Sequence, residues 1–345
     1  MSEVRTLEIH TSPHLHSGDS TDVILRNVVV ALVPVATFSI YTHGLSGLLV
    51  LAVATGASLL TEHVLCRINQ QQSTVSDWSA GVTGLLLGLT LPPTIPLWMA
   101  AVGGIIAIGL GKILFGGLGF NSFNPALVGR AVLQGAFPVS MTSWSAPFAT
   151  DRFTSVHTST LTWPFVVPSY DATTAATPLA AMKFESLGTP VKELAFGLVS
   201  GSTGEACAVL ILLGGIYLAA RNMLNWRIPA AIFGTVGILS GLFHFIDPDR
   251  YAGPEFMLLA GGLCLGAVFM ATDMVTAPLT HRGVVVYGIM IGVMVTVIRY
   301  WGGLPEGVQY SILLGNACVP LIDRALQPKT YGQRVPAKKT GEKPA

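Results

Sequence analysis

Charged side chains set within or beside long apolar stretches are the first residues of this sequence from which chemistry is expected. Asp77, Lys112, Arg130, Glu205, Asp273, Arg299 and Asp323 lie in such positions, with Glu62 near the end of another stretch. A charge in hydrocarbon is costly, so each is a candidate for an ion path or a contact with a bound group. Most sit within a turn or two of a stretch's end, where capping or snorkelling explains them as well. Glu205 and Asp273 stand apart. Glu205 follows the turn Gly201-Ser-Thr-Gly, and Asp273 sits in Met270-Ala-Thr-Asp-Met274 after an apolar run. With Asp77 they form the ion-path candidates, because a buried carboxylate serves a sodium ion or a proton alike.

Other chemistries find less to work with. The sequence contains no HExxH, no Walker loop, no GxSxG and no GxGxxG opening a helix after a strand. No catalytic set is therefore expected in this chain alone. His14 and His16 lie two apart in a polar tail and read as surface residues, not as metal ligands. Cys66, Cys207, Cys264 and Cys318 form no CxxC pair, so they read as packing thiols. A Cys264 or Cys318 lent to a site shared with a partner chain stays open.

The elements that must position these residues are membrane helices. Of the 345 residues, 51% are hydrophobic and only 11% charged, against roughly 25% charge in a soluble domain. Mean hydropathy is +0.62. The charges fall between apolar stretches of about the twenty residues that cross a bilayer as a helix, the form that satisfies its own backbone in lipid. Ten spans are expected, near 23–41, 45–66, 79–92, 97–115, 122–137, 203–220, 228–246, 255–272, 284–300 and 306–323. The first follows a polar tail, 1–22, with no cleavable signal. The 38 glycines suit helices that approach closely in a membrane.

Lys and Arg set the orientation. With the N-terminal tail in the cytoplasm, all but Arg152, Lys183, Lys192, Arg250 and Arg299 fall inside, as the positive-inside rule asks. Both termini are then cytoplasmic, including the basic tail 324–345. The membrane halves 23–137 and 203–323 flank an extracytoplasmic loop, 138–202. Its Trp144, Phe148, Phe153, Trp163, Phe165 and Tyr170 argue for an ordered cap on the membrane, since disordered segments are poor in aromatics.

The halves echo each other. Asp77-Trp78 precedes Gly84-Leu-Leu-Leu-Gly88 by five residues, and Glu255-Phe256 precedes Gly262-Leu-Cys-Leu-Gly266 by the same interval. Pro125-Ala-Leu-Val-Gly129-Arg130 likewise faces Ser311-Ile-Leu-Leu-Gly315-Asn316. Two halves of five spans would enter the membrane in opposite senses, an inverted repeat. Prolines in Leu91–Pro96 and Phe120–Arg130 predict broken helices whose free ends point inward.

Within the outer loop stands Asp171-Ala-Thr-Thr-Ala-Ala-Thr177-Pro-Leu. Taken alone, Thr177 is an exposed threonine in a polar loop. The segment nevertheless resembles the flavinylation motif of the NqrB/RnfD family. In that family a small-residue run ending in Ala-Thr carries FMN through a phosphoester to the threonine hydroxyl. Ser12-Pro-His14, Asn121-Ser-Phe-Asn124-Pro-Ala126 with Gly129-Arg130, Gly201–Glu205 and Ala271–Asp273 fit the same family, so the resemblance covers nearly the whole chain. Length and tail are similar to its shorter, Rnf-type branch. The motif's usual Ser-Gly reads Thr174-Ala175 here, which leaves Thr173 and Thr174 as competing acceptors.

The resemblance implies a flavin-carrying subunit of a bacterial inner-membrane complex that couples electron flow between ferredoxin and NAD to Na+ or H+ movement. It implies FMN on Thr177, with Asn121, Asn124 and Arg130 as further flavin contacts, and leaves room for a second, noncovalent flavin, riboflavin. Implied partners are the other Rnf subunits with their iron–sulfur clusters, a flavin transferase and membrane lipids; no nucleic acid is expected. The rival reading is a small-solute channel, since inverted repeats and broken helices also build urea-channel-like folds, and fold does not decide function.

Overall fold

A computed structural model describes residues 20–70, 74–166, 168, 176–185, 187–205, 207–248 and 250–327. Most of both tails, with His14 and His16, and Tyr170 of the connection lie outside these residues. Among the described residues every regular element is helical. The first, α1, is a single run of 48 residues, Thr21–Ile68. At about 1.5 Å per residue that is more than twice the roughly 30 Å of a hydrocarbon core. Gly44 divides it, with φ +64° and ψ −140°, a backbone state essentially reserved for glycine. The two expected spans thus appear as the two arms of one broken helix.

The break is also a docking point. Leu45 N–H donates to the Arg152 carbonyl at 2.8 Å, and Phe148 N–H to the Thr42 carbonyl at 3.0 Å. A Cβ at Gly44 would overlap the Arg152 backbone. The Arg152 guanidinium stacks within 6 Å of the rings of Tyr41, Phe148 and Phe153, a cation–π arrangement. Further along, the Thr94 hydroxyl donates to Ser143 O at 2.6 Å and the Ser159 hydroxyl to Thr94 O at 2.8 Å. The described parts of the aromatic-rich connection are therefore bound to helix ends.

Next come α2, Ser79–Thr90, and α3, Leu97–Gly109, both packed on α1, and α4, Pro125–Ala136, packed on α2 and α3. Short helices follow: α5, Pro138–Thr142; α6, Pro178–Ala180; and α7, Val191–Phe196. The later elements are α8, Ala208–Ala220; α9, Arg227–Ile246; α10, Pro254–Leu259; and α11, Leu263–Leu265, which runs on into a π-type turn, Gly266–Met270. The last are α12, His281–Trp301, and α13, Val308–Ala325. α9 packs on α12, and α13 on α12 and α4. Tyr217 OH of α8 and Nη1 of Arg221, the residue that ends it, both donate to Asn27 Oδ1 of α1, at 2.8 and 3.0 Å, joining early and late elements.

Thr21–Ile68, Leu97–Phe115, Arg227–Ile246 and His281–Trp301 are each long and apolar enough to cross a membrane. Large apolar side chains also point outward: on α9, Ile238, Leu242 and Phe245 share one face and are exposed, Phe245 to 87%. Such a face suits lipid, because the free energy of burying it from water is not needed there. The protein is a membrane protein.

Two expected spans differ from the structure. The stretch 203–220 becomes helical only at Ala208; Thr203 and Gly204 instead donate to the end of α2. The stretch 255–272 breaks between Leu259 and Leu263, where Gly261 has φ +68°. Unbroken hydropathy concealed that interruption; the adjacent pair Gly261-Gly262 was its local signal.

Gly44→Ala should lower stability by about 1–3 kcal/mol from backbone strain alone, and further from the collision with Arg152. Thermal unfolding of the detergent-solubilised chain measures this; an unchanged midpoint would mean the break is not needed.

Candidate functional site

Two helix breaks face one another, and their free backbone groups are satisfied from distant parts of the chain. A break inside lipid leaves carbonyl and N–H groups without partners, at several kcal/mol each if unmet. At the end of α2, Thr203 N–H donates to Leu91 O at 3.1 Å, Gly204 N–H to Leu89 O at 2.6 Å and the Thr203 hydroxyl to Gly88 O at 2.7 Å. At the end of α10, the Arg299 guanidinium donates to Met257 O at 2.5 Å and to Ala260 O at 2.9 Å. At the start of α11, the Glu306 carboxylate accepts Gly262 N–H at 3.0 Å. Arg299 and Glu306 also pair with each other at 3.3 Å. The cation lies on a helix C-terminus and the anion on a helix N-terminus, the signs that the helix dipole favours.

Glu306 also borders a cavity of about 390 Å³. It is lined by Arg130 and Gln134 of α4, by Trp144, Thr177, Phe184, Glu205 and Glu306, and by Gln309 and Tyr310 of α13. Thr177 is buried, 8% exposed. Its hydroxyl accepts Ala180 N–H at 3.2 Å and so caps α6. This corrects the expectation of an exposed threonine. The two residues after it, Pro178 and Leu179, are buried, and Leu179 packs so closely on Gly261 that a Cβ there would lie 2.6 Å from Cδ1. Lys183 holds the same element down, donating to the carbonyls of Ile298 at 3.2 Å and Leu304 at 3.1 Å around the end of α12. Thr173 and Thr174, the competing acceptors, lie outside the described residues.

Three polar atoms on this cavity are buried without a partner among the described residues: Nε of Arg130, Nε2 of Gln309 and Oε1 of Glu205. An orphaned buried donor is costly, so a guanidinium and an amide N–H aimed into one cavity suit a ligand rich in acceptors. FMN fits that description. Its phosphate and ring carbonyls accept hydrogen bonds, its ring can lie against Trp144, Phe184 or Tyr310, and the volume falls in the range of small-molecule sites, roughly 300–1,000 Å³.

Asn121 and Asn124 lie apart from this cavity, towards the other end of α4. Asn124 caps that helix, its Oδ1 accepting Ala126 N–H at 3.1 Å, while its Nδ2 donates to Met270 O at 3.2 Å. With the Asn316 amide turned to donate to Tyr287 and to Ile312 O, its oxygen accepts Asn124 N–H at 3.1 Å. Asp273 is beside them and caps its own turn, accepting Val275 N–H at 3.2 Å. These three residues share a cavity of about 90 Å³ with Lys112, Ser79 and Thr83. That is well below roughly 300 Å³, so a second flavin does not fit there in this arrangement.

Asp77 is joined to that cavity through Ser79. Its carboxylate accepts Ser79 N–H at 2.8 Å and also the Ser79 hydroxyl. Lys112 Nζ in turn donates to Ser79 Oγ and pairs with Glu62 Oε1 at 2.7 Å. Both charges are enclosed, Lys112 being 3% and Glu62 0% exposed at the side chain. The sequence candidates thus separate into two regions: Thr177, Arg130 and Glu205 in one, and Asn121, Asn124 and Asp273 in the other, to which Asp77 is joined through Ser79. Glu306 and Gln309 were missed. They read as the opening of the last span, and only the broken α10–α11 segment gives Glu306 its partners. No group of three or more His, Cys, Asp or Glu that could hold a metal is present among the described residues.

A family model described as the NQR2, RnfD, RnfE family matches residues 8–332. The chain is 40% identical over 336 residues to a subunit of the proton-translocating ferredoxin:NAD(+) oxidoreductase complex of Clostridium ljungdahlii, across 94% of this chain and 96% of that relative. It is 38% identical over 330 residues to a subunit of the Na(+)-translocating ferredoxin:NAD(+) oxidoreductase complex of Acetobacterium woodii, across 94% and 95%. Against a subunit of the ion-translocating oxidoreductase complex of Halorhodospira halophila identity is 36% over 343 residues, across 94% and 96%.

Lys112→Met leaves a buried, unpaired carboxylate at Glu62 and should destabilise the chain by roughly 3–5 kcal/mol, with much of the loss recovered in Glu62→Leu/Lys112→Met. A thermal double-mutant cycle tests this. Additive losses would show that the two charges do not depend on each other.

Proposed function

The chain belongs to the NQR2, RnfD, RnfE family, and from that membership we infer that it is the flavin-carrying membrane subunit of an ion-translocating oxidoreductase complex. Its relatives are named as subunits of ferredoxin:NAD(+) oxidoreductases. That supports an electron relay between ferredoxin and NAD sides, coupled to Na+ or H+ transport, over a solute channel. Its partners are the other Rnf subunits, which supply iron–sulfur clusters, and a flavin transferase that loads it.

The observation that carries the flavin reading is the set of orphaned donors around a buried threonine. FMN is held by a phosphoester on Thr177 Oγ1 and supplies electron transfer when attached. Arg130 places a guanidinium with an unpartnered Nε–H beside it. Gln309 offers an N–H to a ring acceptor. Trp144, Phe184 and Tyr310 keep water from the ring. Since Thr177 is buried and pinned through Leu179 and Lys183, the transferase meets it before α6 docks, or with that element lifted.

For the whole chain the reading is ten spans. Gly44 divides α1 into two, and the matching intervals Asp77-Trp78 to Gly84–Gly88 and Glu255-Phe256 to Gly262–Gly266 support two inverted five-span halves, although α2 runs unbroken where the second segment is interrupted at Gly261. Both termini are cytoplasmic, and the flavin loop lies on the outer side of the inner membrane.

In cells that contain the transferase, the denatured wild-type chain should fluoresce in a gel as a flavoprotein. Thr177→Val should be dark and Thr177→Ser should keep its signal. A dark wild-type band, or a bright Thr177→Val band, would overturn the attachment.

A further inference from the structure

Glu205 has no role in capping the breaks, although the loop that carries it does. Its neighbours Thr203 and Gly204 spend their donors on α2, and this delivers the Glu205 side chain into the Thr177 cavity. There Oε1 is buried and unpartnered among the described residues. A Cβ added at Gly262 would lie 3.5 Å from Oε1 of Glu205 and 3.7 Å from Oε1 of Glu306, so the two carboxylates flank the same glycine. The groups facing Glu205 are Arg130 of α4, Glu306, Gln309 and Tyr310 at the start of α13, and Ser202 of its own loop.

These neighbours are not equivalent. Glu306 is committed to Gly262 N–H and Arg299. Arg130 carries only donors and cannot accept. Glu205 Oε1 is the carboxylate oxygen on this cavity that is buried with no partner among the described residues. A proton arriving there also relieves the repulsion between two facing carboxylates.

We propose that Glu205 takes up the proton that balances the charge of each electron entering the Thr177 cavity. The inference rests on the flavin reading of that cavity. One electron from a reductant of the reduced iron–sulfur class adds one negative charge to the bound ring. One proton from water bonds to Oε1 of Glu205 and turns the carboxylate into a carboxylic acid. Net charge in the cavity is unchanged, and both particles leave on reoxidation. Glu205 is thus a charge-compensating residue beside the cofactor, and the redox chemistry stays with the ring.

The test uses the full chain with its covalent flavin, purified in detergent and titrated with dithionite. Reduction of the wild type should produce a new carboxylic-acid C=O band in the redox-difference infrared spectrum, shifted in D2O, together with proton uptake read by a pH indicator. Glu205→Gln should lose the band and the corresponding uptake, and Glu205→Asp should restore both with the band displaced. A flavin-loaded wild type with no acid band overturns this inference alone, whether or not the variant folds. So does a Glu205→Gln chain with undiminished uptake. A wild-type chain without covalent flavin fluorescence overturns the flavin reading and this inference with it.

Discussion

A helix that breaks inside a hydrophobic layer must have its backbone satisfied by the rest of the protein, and much of this structure follows from that demand. Leu89, Leu91, Met257 and Ala260 are buried, so their carbonyls depend on the protein for donors, and Gly262 N–H opens a helix at a break. Each of these groups finds a partner more than forty residues away in sequence or on another helix. An unmet group would cost more than any single apolar contact in the bundle contributes. The caps are therefore among the most constrained contacts in the fold.

The candidate site is a consequence of those caps. Thr203 and Gly204 dock on α2, and the chain direction then carries Glu205 inward. Glu306 docks on Gly262, and the next turn of α13 brings Gln309 and Tyr310 to the same wall. Arg130 comes from α4, whose start is fixed by Asn124 to Met270 and Asn316. A cavity built this way is held from several helices at once. Thr177 comes from the connection between α5 and α7 and is held there through Leu179 and Lys183.

Away from this cavity, the Lys112–Glu62 pair and its hydroxyl partners Ser79 and Thr74 form a second polar centre. Buried ion pairs of this kind contribute little net stability but penalise every arrangement that separates them. They therefore act on register. Lys112 can meet Glu62 only if the ends of α1 and α3 lie level, and that level in turn sets where α4 begins.

Hydropathy, span length and charge asymmetry made the membrane class legible from the residues alone, because insertion depends on local composition and hardly on tertiary contacts. Pro92, Pro93 and Pro125 marked one break and one helix start, since proline removes a donor wherever it stands. The motif around Thr177, read through a family resemblance, pointed to the same residue that borders the cavity. Burial of Thr177 was not legible, nor the break at Gly261, nor the pairing of Glu306 with Gly262, because each depends on groups distant in sequence. The candidates Asn121, Asn124, Arg130, Glu205, Asp273 and Asp77 were recognised one by one as polar residues in apolar surroundings. Their division between two regions was decided by tertiary structure, since it is the packing of α4 against α13 and α2 that determines which polar groups can meet.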